Sequence, residues 1–381
     1  IIAKRPFPQH GVYSPGTILP SLWSQGDLDR DLTILYEDWK GDYLKAAGTA
    51  ADGTTLYRIA LGHSEPNASI TVSEGQGYGM IIMALIAGYD PDAQKIFNGL
   101  WKFSRAHPSN SDPNLMDWKI PPDDPAVRNS AFDGDADIAY AMLLADAQWG
   151  SSGAIHYIGE AKKVIAAILQ STIGSVSRLP TLGDWVDPNG TTYNQYTPRS
   201  SDFMPSHFRA FGKITADMGT WDAVLINSRD VVDAIQMNYS PLTGLIPDFM
   251  VPVNGASTPL QPALPYFLEG PHDGKFHYNA SRVPWRLGLD VLLHGDAVTK
   301  LQLQKMTGWL RGRTSQDGSA IKAGYALDGT AIGDYPTLSF IAPFGVAAMV
   351  DFNSQDWLNS IYSYIHTYVG RVADPASAPS W

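Results

Sequence analysis

Apolar residues recur along this chain mostly with a helical period of three to four. Between 28 and 47, Leu32, Leu35, Tyr36, Trp39, Tyr43 and Leu44 fall on one face of a helix. Similar spacing predicts helices over about 93–106, 133–149, 154–171, 202–212, 215–238, 279–295, 298–313, 337–350 and 354–369. A further run, Met80-Ile81-Ile82-Met83-Ala84-Leu85-Ile86-Ala87, is apolar throughout and reads as a helix buried on every side. Residues 48–70, with Thr54, Leu56, Tyr57 and Ile59, read as a short hairpin. Residues 1–27 are rich in Pro and Gly and read as an irregular lead-in. Long Pro/Gly/Asp-rich loops occupy 107–129, 174–200 and 239–276, between particular helices. The pattern predicts a large all-α domain of about eleven paired helices with a few short strands. No composition break divides it, so residues 1–381 are expected to form one domain.

The just-mentioned apolar helix is preceded by Ser73-Glu74-Gly75-Gln76-Gly77-Tyr78-Gly79. Ser73 can cap it. Glu74 then lies at its mouth, and the glycines would leave room for a ligand against the backbone. The bland account is a capped start with an acid in the first turn. Glutamate occurs at only five positions, 37, 65, 74, 160 and 269, so two of them in Gly- and aromatic-rich settings, Glu74 and Glu269, stand out. Glu269 lies in Tyr266-Phe267-Leu268-Glu269-Gly270-Pro271-His272-Asp273, where a solvated loop residue is the plain alternative. Arg282 and Arg286 read as a helix-surface pair when taken alone. Asp133-Gly134-Asp135-Ala136-Asp137 opens another helix. The helix dipole accounts for at least one of its aspartates and favours an ionised carboxylate there. A calcium loop is the other option, but the Gly and terminal Glu of an EF-hand are missing.

Composition narrows the chemistry. Eleven Trp and eighteen Tyr exceed what a core requires and suit a groove for sugars. A net charge of −11 argues against nucleic acid and tolerates a cationic substrate. The longest apolar run, about ten residues, is too short to cross a bilayer. With no Cys, thiol nucleophiles and disulfides are excluded. The dinucleotide fingerprint, Walker lysine, His-Glu-x-x-His and Gly-x-Ser-x-Gly motifs are all missing. No metal or cofactor is expected. A carboxylate pair among aromatics remains, the inventory of glycoside hydrolysis.

Together these segments resemble glycoside hydrolase family eight, which contains cellulases, lichenases, xylanases and chitosanases. Residues Ser73–Gly79 look like its acid-bearing motif. Residues Asp133–Ala139, running on to Trp149, look like its signature, with Phe132 where a small hydroxyl residue is usual. Leu115-Met116-Asp117-Trp118 and Tyr278-Asn279-Ala280-Ser281-Arg282-Val283-Pro284 extend the match. The resemblance implies an (α/α)6 barrel of six inner and six outer helices and endo-hydrolysis with inversion. Glu74 would be the general acid, and Asp133 would contact the sugar at the cleavage point. Trp118, Tyr278 and Arg282 would line subsites, and Tyr78, Asp135, Asp184, Trp185, Tyr266 and Asn279 complete the expected substrate-contacting set. Many members carry an Asp base where this chain has Asn279, which cannot take a proton from water. A subgroup including the chitosanases uses instead a Glu from an upstream loop. Glu269 fits that description, with Asp273 in reserve.

The expectation is an inverting endo-hydrolase of β-1,4 linkages acting on chitosan as a monomer, without nucleic-acid or membrane partners. Cellulose or mixed-linkage glucan is the second substrate reading. A catalytically silent carbohydrate-binding protein and a polysaccharide lyase are the readings from other classes. The Ile1 start and the lack of Cys fit a secreted enzyme shorn of its signal peptide.

Overall fold

The computed structural model describes residues 2–255 and 257–374. Eleven α-helices occur among them: α1 (Gln25–Tyr43), α2 (Ser73–Leu85), α3 (Ala93–Ala106), α4 (Phe132–Trp149), α5 (Tyr157–Ser171), α6 (Pro205–Thr215), α7 (Met218–Asn238), α8 (Val283–His294), α9 (Ala297–Arg313), α10 (Leu338–Ala348) and α11 (Gln355–Ala373). Three two-stranded antiparallel ribbons complete it: β1 (Leu44–Thr49) with β2 (Thr55–Ile59), β3 (Thr71–Val72) with β4 (Lys119–Ile120), and β5 (Met250–Pro252) with β6 (Leu260–Pro262).

Each inner helix packs on the outer helix that follows it, giving the pairs α2/α3, α4/α5, α6/α7, α8/α9 and α10/α11. The inner members also touch in sequence, α2 on α4, α4 on α6, α6 on α8 and α8 on α10. Helix α1 closes the ring. It packs on α11, and its Tyr36 hydroxyl reaches Met83 of α2. This is the (α/α)6 barrel, with one helix fewer among the described residues than the expected twelve. The Pro- and Gly-rich residues 2–24 cannot supply a helix. They run instead as a strap across one end of the barrel. Their N–H groups donate to the carbonyls of Gln148, Ala87, Leu292 and Met349, at or just past the C-terminal ends of α4, α2, α8 and α10. A helix leaves its last four carbonyls unpaired, so the strap satisfies acceptors that this end would otherwise bury.

The core falls into two apolar clusters. One is built around α2–α5 and the start of α7, with Phe132, Phe208 and Trp221 at its heart. The other is built around α8–α11, with Phe276, Phe340, Phe344 and Trp357. Between them lies an ionic joint. Asp137 of α4, wholly buried, receives both Nη atoms of Arg286 from α8, at 2.9 and 2.7 Å. His207 of α6 places Nε2 2.8 Å from the same carboxylate and stacks on Tyr140 at 4.1 Å. Burial alone would raise the Asp137 pKa, but Arg286 and His207 outweigh it and hold the carboxyl well below its ordinary value. Arg286 is therefore no surface residue, contrary to its plain sequence reading.

The helix after Glu74 differs from expectation in three ways. Val72 occupies the cap position without a side-chain cap, and Ser73 is buried inside the helix. The helix is apolar on all sides but not covered on all sides, since Leu85 is exposed. The glycines do not make space for a ligand. A Cβ on Gly77 would lie 2.7 Å from Cβ of Asp137, and one on Gly134 would lie 2.2 Å from Oγ of Ser73. Gly79 likewise faces Ile59. They let α2 approach α4, and the Ile59 side chain of the β1–β2 hairpin, more closely than any side chain would allow.

Candidate active site

The strap occupies the C-terminal end of the barrel, and the sequence-predicted chemistry gathers at the other. There the inner helices begin, and the long loops meet over them. The polar first turns of α2 and α4, a 3₁₀ turn at Ser200–Asp202 before α6, and another at Ala280–Arg282 before α8 all converge.

Glu74 is partly exposed. Its Oε1 accepts from the Tyr78 hydroxyl at 2.7 Å, one helical turn on, and lies 3.1 Å from Nε of Arg282. Burial, reinforced by the Glu74 charge, pushes the Tyr78 phenol well above its ordinary pKa, so it stays a donor. Oε2 of Glu74 has no hydrogen-bond partner among the described residues. Asp133, on α4, is almost fully buried. Arg199 reaches its Oδ1 at 2.9 Å, and Arg282 lies 3.5 Å from its Oδ2. Arg282 thus stands between Glu74 and Asp133. Arg199 is shared in turn with Asp202, at 3.1 Å. Asp202 is wholly enclosed, and burial pushes it up to about 7.

Glu269 comes to the same face from the long loop. Its Oε2 accepts from Nδ2 of Asn279 at 2.8 Å, and Oδ1 of Asn279 lies 3.3 Å from Nη2 of Arg282. A path of one ion pair and two hydrogen bonds, Glu74–Arg282–Asn279–Glu269, therefore joins the two glutamates without letting them touch. Asp273 has another task. Nearly buried, its carboxylate accepts the backbone N–H groups of Leu268, Glu269 and Gly270 at 2.7–3.0 Å, and this ties the loop into a tight turn. That leaves it facing amides, not solvent, and removes it as the reserve base.

Aromatic rings line the flanks. Trp118, 43 % exposed, has its carbonyl bonded to the N–H of Ser73, which fixes it beside Glu74. Tyr278, 41 % exposed, stands on Phe340 with its hydroxyl 3.1 Å from that of Tyr335. Trp185 packs edge-on to Tyr193, which packs on Phe267, so the 174–200 loop and the Glu269 loop are held together. Tyr266 projects at the tip of that turn with φ +61°, an uncommon conformation for a residue with a side chain, and donates its N–H to Gly270.

Two expected sugar contacts lie elsewhere. Asp135 is wholly buried behind α4, with Oδ1 accepting the N–H of Met116 at 2.9 Å, so no substrate can reach it. Asp184 turns inward, taking the N–H of Ser130 at 2.8 Å and the hydroxyl of Ser109. It clamps two loops. Conversely, Arg199, Asp202, Asp248 and Tyr335 were not singled out from sequence. Arg199 and Asp202 had a signal, a charged pair closing a long loop three residues before a Pro-started helix. The others had none.

The sequence model of glycosyl hydrolases family 8 matches residues 28–365. The chain belongs to that family. A family 8 relative from Niallia circulans, named β-glucanase, is 40% identical over 362 residues, covering 94% of this chain and 85% of its own. An endoglucanase of Bacillus sp. (strain KSM-330) is 40% identical over 365 residues, covering 95% and 76%. Among solved structures, the apo β-1,3-1,4-glucanase from Paenibacillus sp. X4 superposes with a TM-score of 0.87 at 38% identity, over 99% of this chain and 93% of that one. As a family 8 member the chain is a glycoside hydrolase built on the (α/α)6 barrel, as the helix spacing and the motif resemblance together led one to expect.

The buried aspartates set a pH dependence of stability. Burial pushes Asp135 up to about 8 and Asp202 up to about 7. Against an unfolded value near 3.9, each favours the folded state fully below about pH 4. That contribution is lost as pH rises through 7 to 8. Asp137 and His207 have lowered values and act in the opposite sense on the acid side. The melting temperature should fall between pH 6 and 9, and Asp135→Asn should flatten that fall. An unchanged slope in the variant would show that Asp135 takes up no proton on folding.

Proposed function

We propose that this chain is an inverting endo-glycosidase of β-1,4-linked glucans, mixed-linkage glucan or cellulose. Glu74 would act as general acid and Glu269 as general base. The observation that carries the reading is the path Glu74–Arg282–Asn279–Glu269. It places two carboxylates on one open face, kept apart by a guanidinium and an amide. Inversion needs such a gap, of roughly 6.5–9.5 Å between carboxyls, because a water must enter opposite the leaving group. Oε2 of Glu74 is free to carry the proton to the departing oxygen. Oε1 of Glu269 is free to take one from water, since Asn279 holds only Oε2.

Asp133, fixed by Arg199 and Arg282, would meet the hydroxyls of the sugar being cleaved and hold its distorted ring. Trp118 would stack on a sugar to one side, and Tyr278 with Tyr335 on the other. Glucan comes first because the 40%-identical relatives are named β-glucanase and endoglucanase. Chitosan, the first reading from sequence, becomes second. It keeps support from Asn279 in place of an Asp base and from the net charge of −11.

Reducing-sugar release from lichenan, carboxymethylcellulose and chitosan tests the choice. Lichenan or carboxymethylcellulose should be cleaved fastest, with the α-anomer appearing first by NMR. Fastest release from chitosan would reverse the order of substrates. An initial β-anomer would rule out inversion, and binding without cleavage would leave a carbohydrate-binding protein.

A further inference from the structure

The loop carrying Glu269 is mostly exposed, yet a base must hold its attacking water in register. What fixes the side chain lies beneath it. Asp248, just ahead of β5, is 3 % exposed, and its own backbone is pinned by bonds to the Lys275 carbonyl and the Ser200 N–H. Its carboxylate accepts the N–H groups of His277 at 2.9 Å and Ala280 at 2.7 Å on Oδ1, and that of Asn279 at 3.2 Å on Oδ2. The same Oδ2 lies 3.4 Å from Nδ2 of Asn279. The amide of Asn279 has two hydrogens on that nitrogen. One points at Asp248, the other at Glu269, while Oδ1 faces Arg282. All three amide valences are directed, so only one of its two flipped orientations fits.

We propose that Asp248 is a positioning residue for the hydrolytic base: it locks the Asn279 amide in the orientation that holds Oε2 of Glu269 and leaves Oε1 to the water. The inference rests on the reading of Glu269 as base. It also explains why asparagine suits position 279 here. An aspartate there would set three carboxylates against one another, with no side-chain donor left between position 279 and either Asp248 or Glu269.

Three variants and one double variant test it on a soluble glucan, with kcat and KM measured separately. Asp248→Asn turns a donor toward the Asn279 amide, and Asn279→Ala removes the amide while sparing the three backbone bonds to Asp248. Each should lower kcat on the order of 10²-fold with KM little changed, the scale expected for a displaced reacting group. In the Glu269→Gln background, Asp248→Asn should add little further loss, because both act on one step. An equal further loss there would assign Asp248 a purely structural role and overturn the proposal. Should Asp248→Asn fail to fold, Asn279→Ala decides, and a normal kcat in it overturns the proposal. A dead Glu269→Gln beside normal Asp248→Asn and Asn279→Ala would leave the base in place and remove only the positioning role. A near-normal Glu269→Gln would remove the base reading, and this inference with it.

Discussion

Replacing Glu74 by Gln is expected to lower turnover of polysaccharide by about 10²–10⁴-fold, the usual contribution of a positioned acid, with little change in melting temperature. The side chain is partly exposed, and a glutamine can still accept from Tyr78 at the Oε1 position. The loss should depend on the leaving group. A sugar hydroxyl leaves poorly without a proton, whereas an acidic phenol leaves readily without one. Aryl β-cellobiosides with acidic phenols should therefore lose far less activity in the variant than polysaccharide does. A uniform loss across leaving groups would mean that Glu74 supplies something other than the proton.

The largest expected effect on stability lies at the ionic joint. Arg286→Leu leaves Asp137 with His207 as its one remaining partner among the described residues at the centre of the barrel, and breaking such a buried pair costs about 3–5 kcal/mol. That is a sizeable part of the roughly 5–15 kcal/mol by which a protein is stable. The guanidinium also lies 4.0 Å from the Trp285 ring centroid and 5.9 Å from that of Tyr78, so activity should fall as well, through the footing of Glu74. Denaturant unfolding checks the energy. The double variant Asp137→Asn/Arg286→Leu should recover much of it, because no lone charge remains. If the double variant is no more stable than Arg286→Leu, the penalty comes from lost packing and not from the stranded carboxylate.

Much of this architecture was legible in the helical spacing, because amphipathic period reports directly which face is covered. Helix α3 begins and ends where its pattern does, at Ala93 and Ala106. The site was legible where a motif is contiguous, as around Glu74, and much less so where function depends on direction. Asp133, Asp135 and Asp137 are two residues apart on one helix, so neighbours in the series point about 200° apart. One reaches the site, one the back of the helix, one the centre of the barrel. Nothing in the string Asp-Gly-Asp-Ala-Asp says which. The glycines of 75–79 were misread for a related reason. Their sequence shows that something approaches closely, but not whether it is a ligand or another helix. Asp248 was invisible because its partners are backbone amides thirty residues away, and amides carry no sequence signature.

Where α2 meets α4, Gly77 and Gly134 leave only the Cβ of Asp137 and the small Ser73 side chain between the backbones that carry Glu74 and Asp133. The distance between those two acids is therefore set by two glycines facing small groups, and not by a bulky interposed residue. Substitution can alter the rings and loops above while the span between Glu74 and Asp133 stays constant. A barrel built this way can change its diet without re-gauging its chemistry.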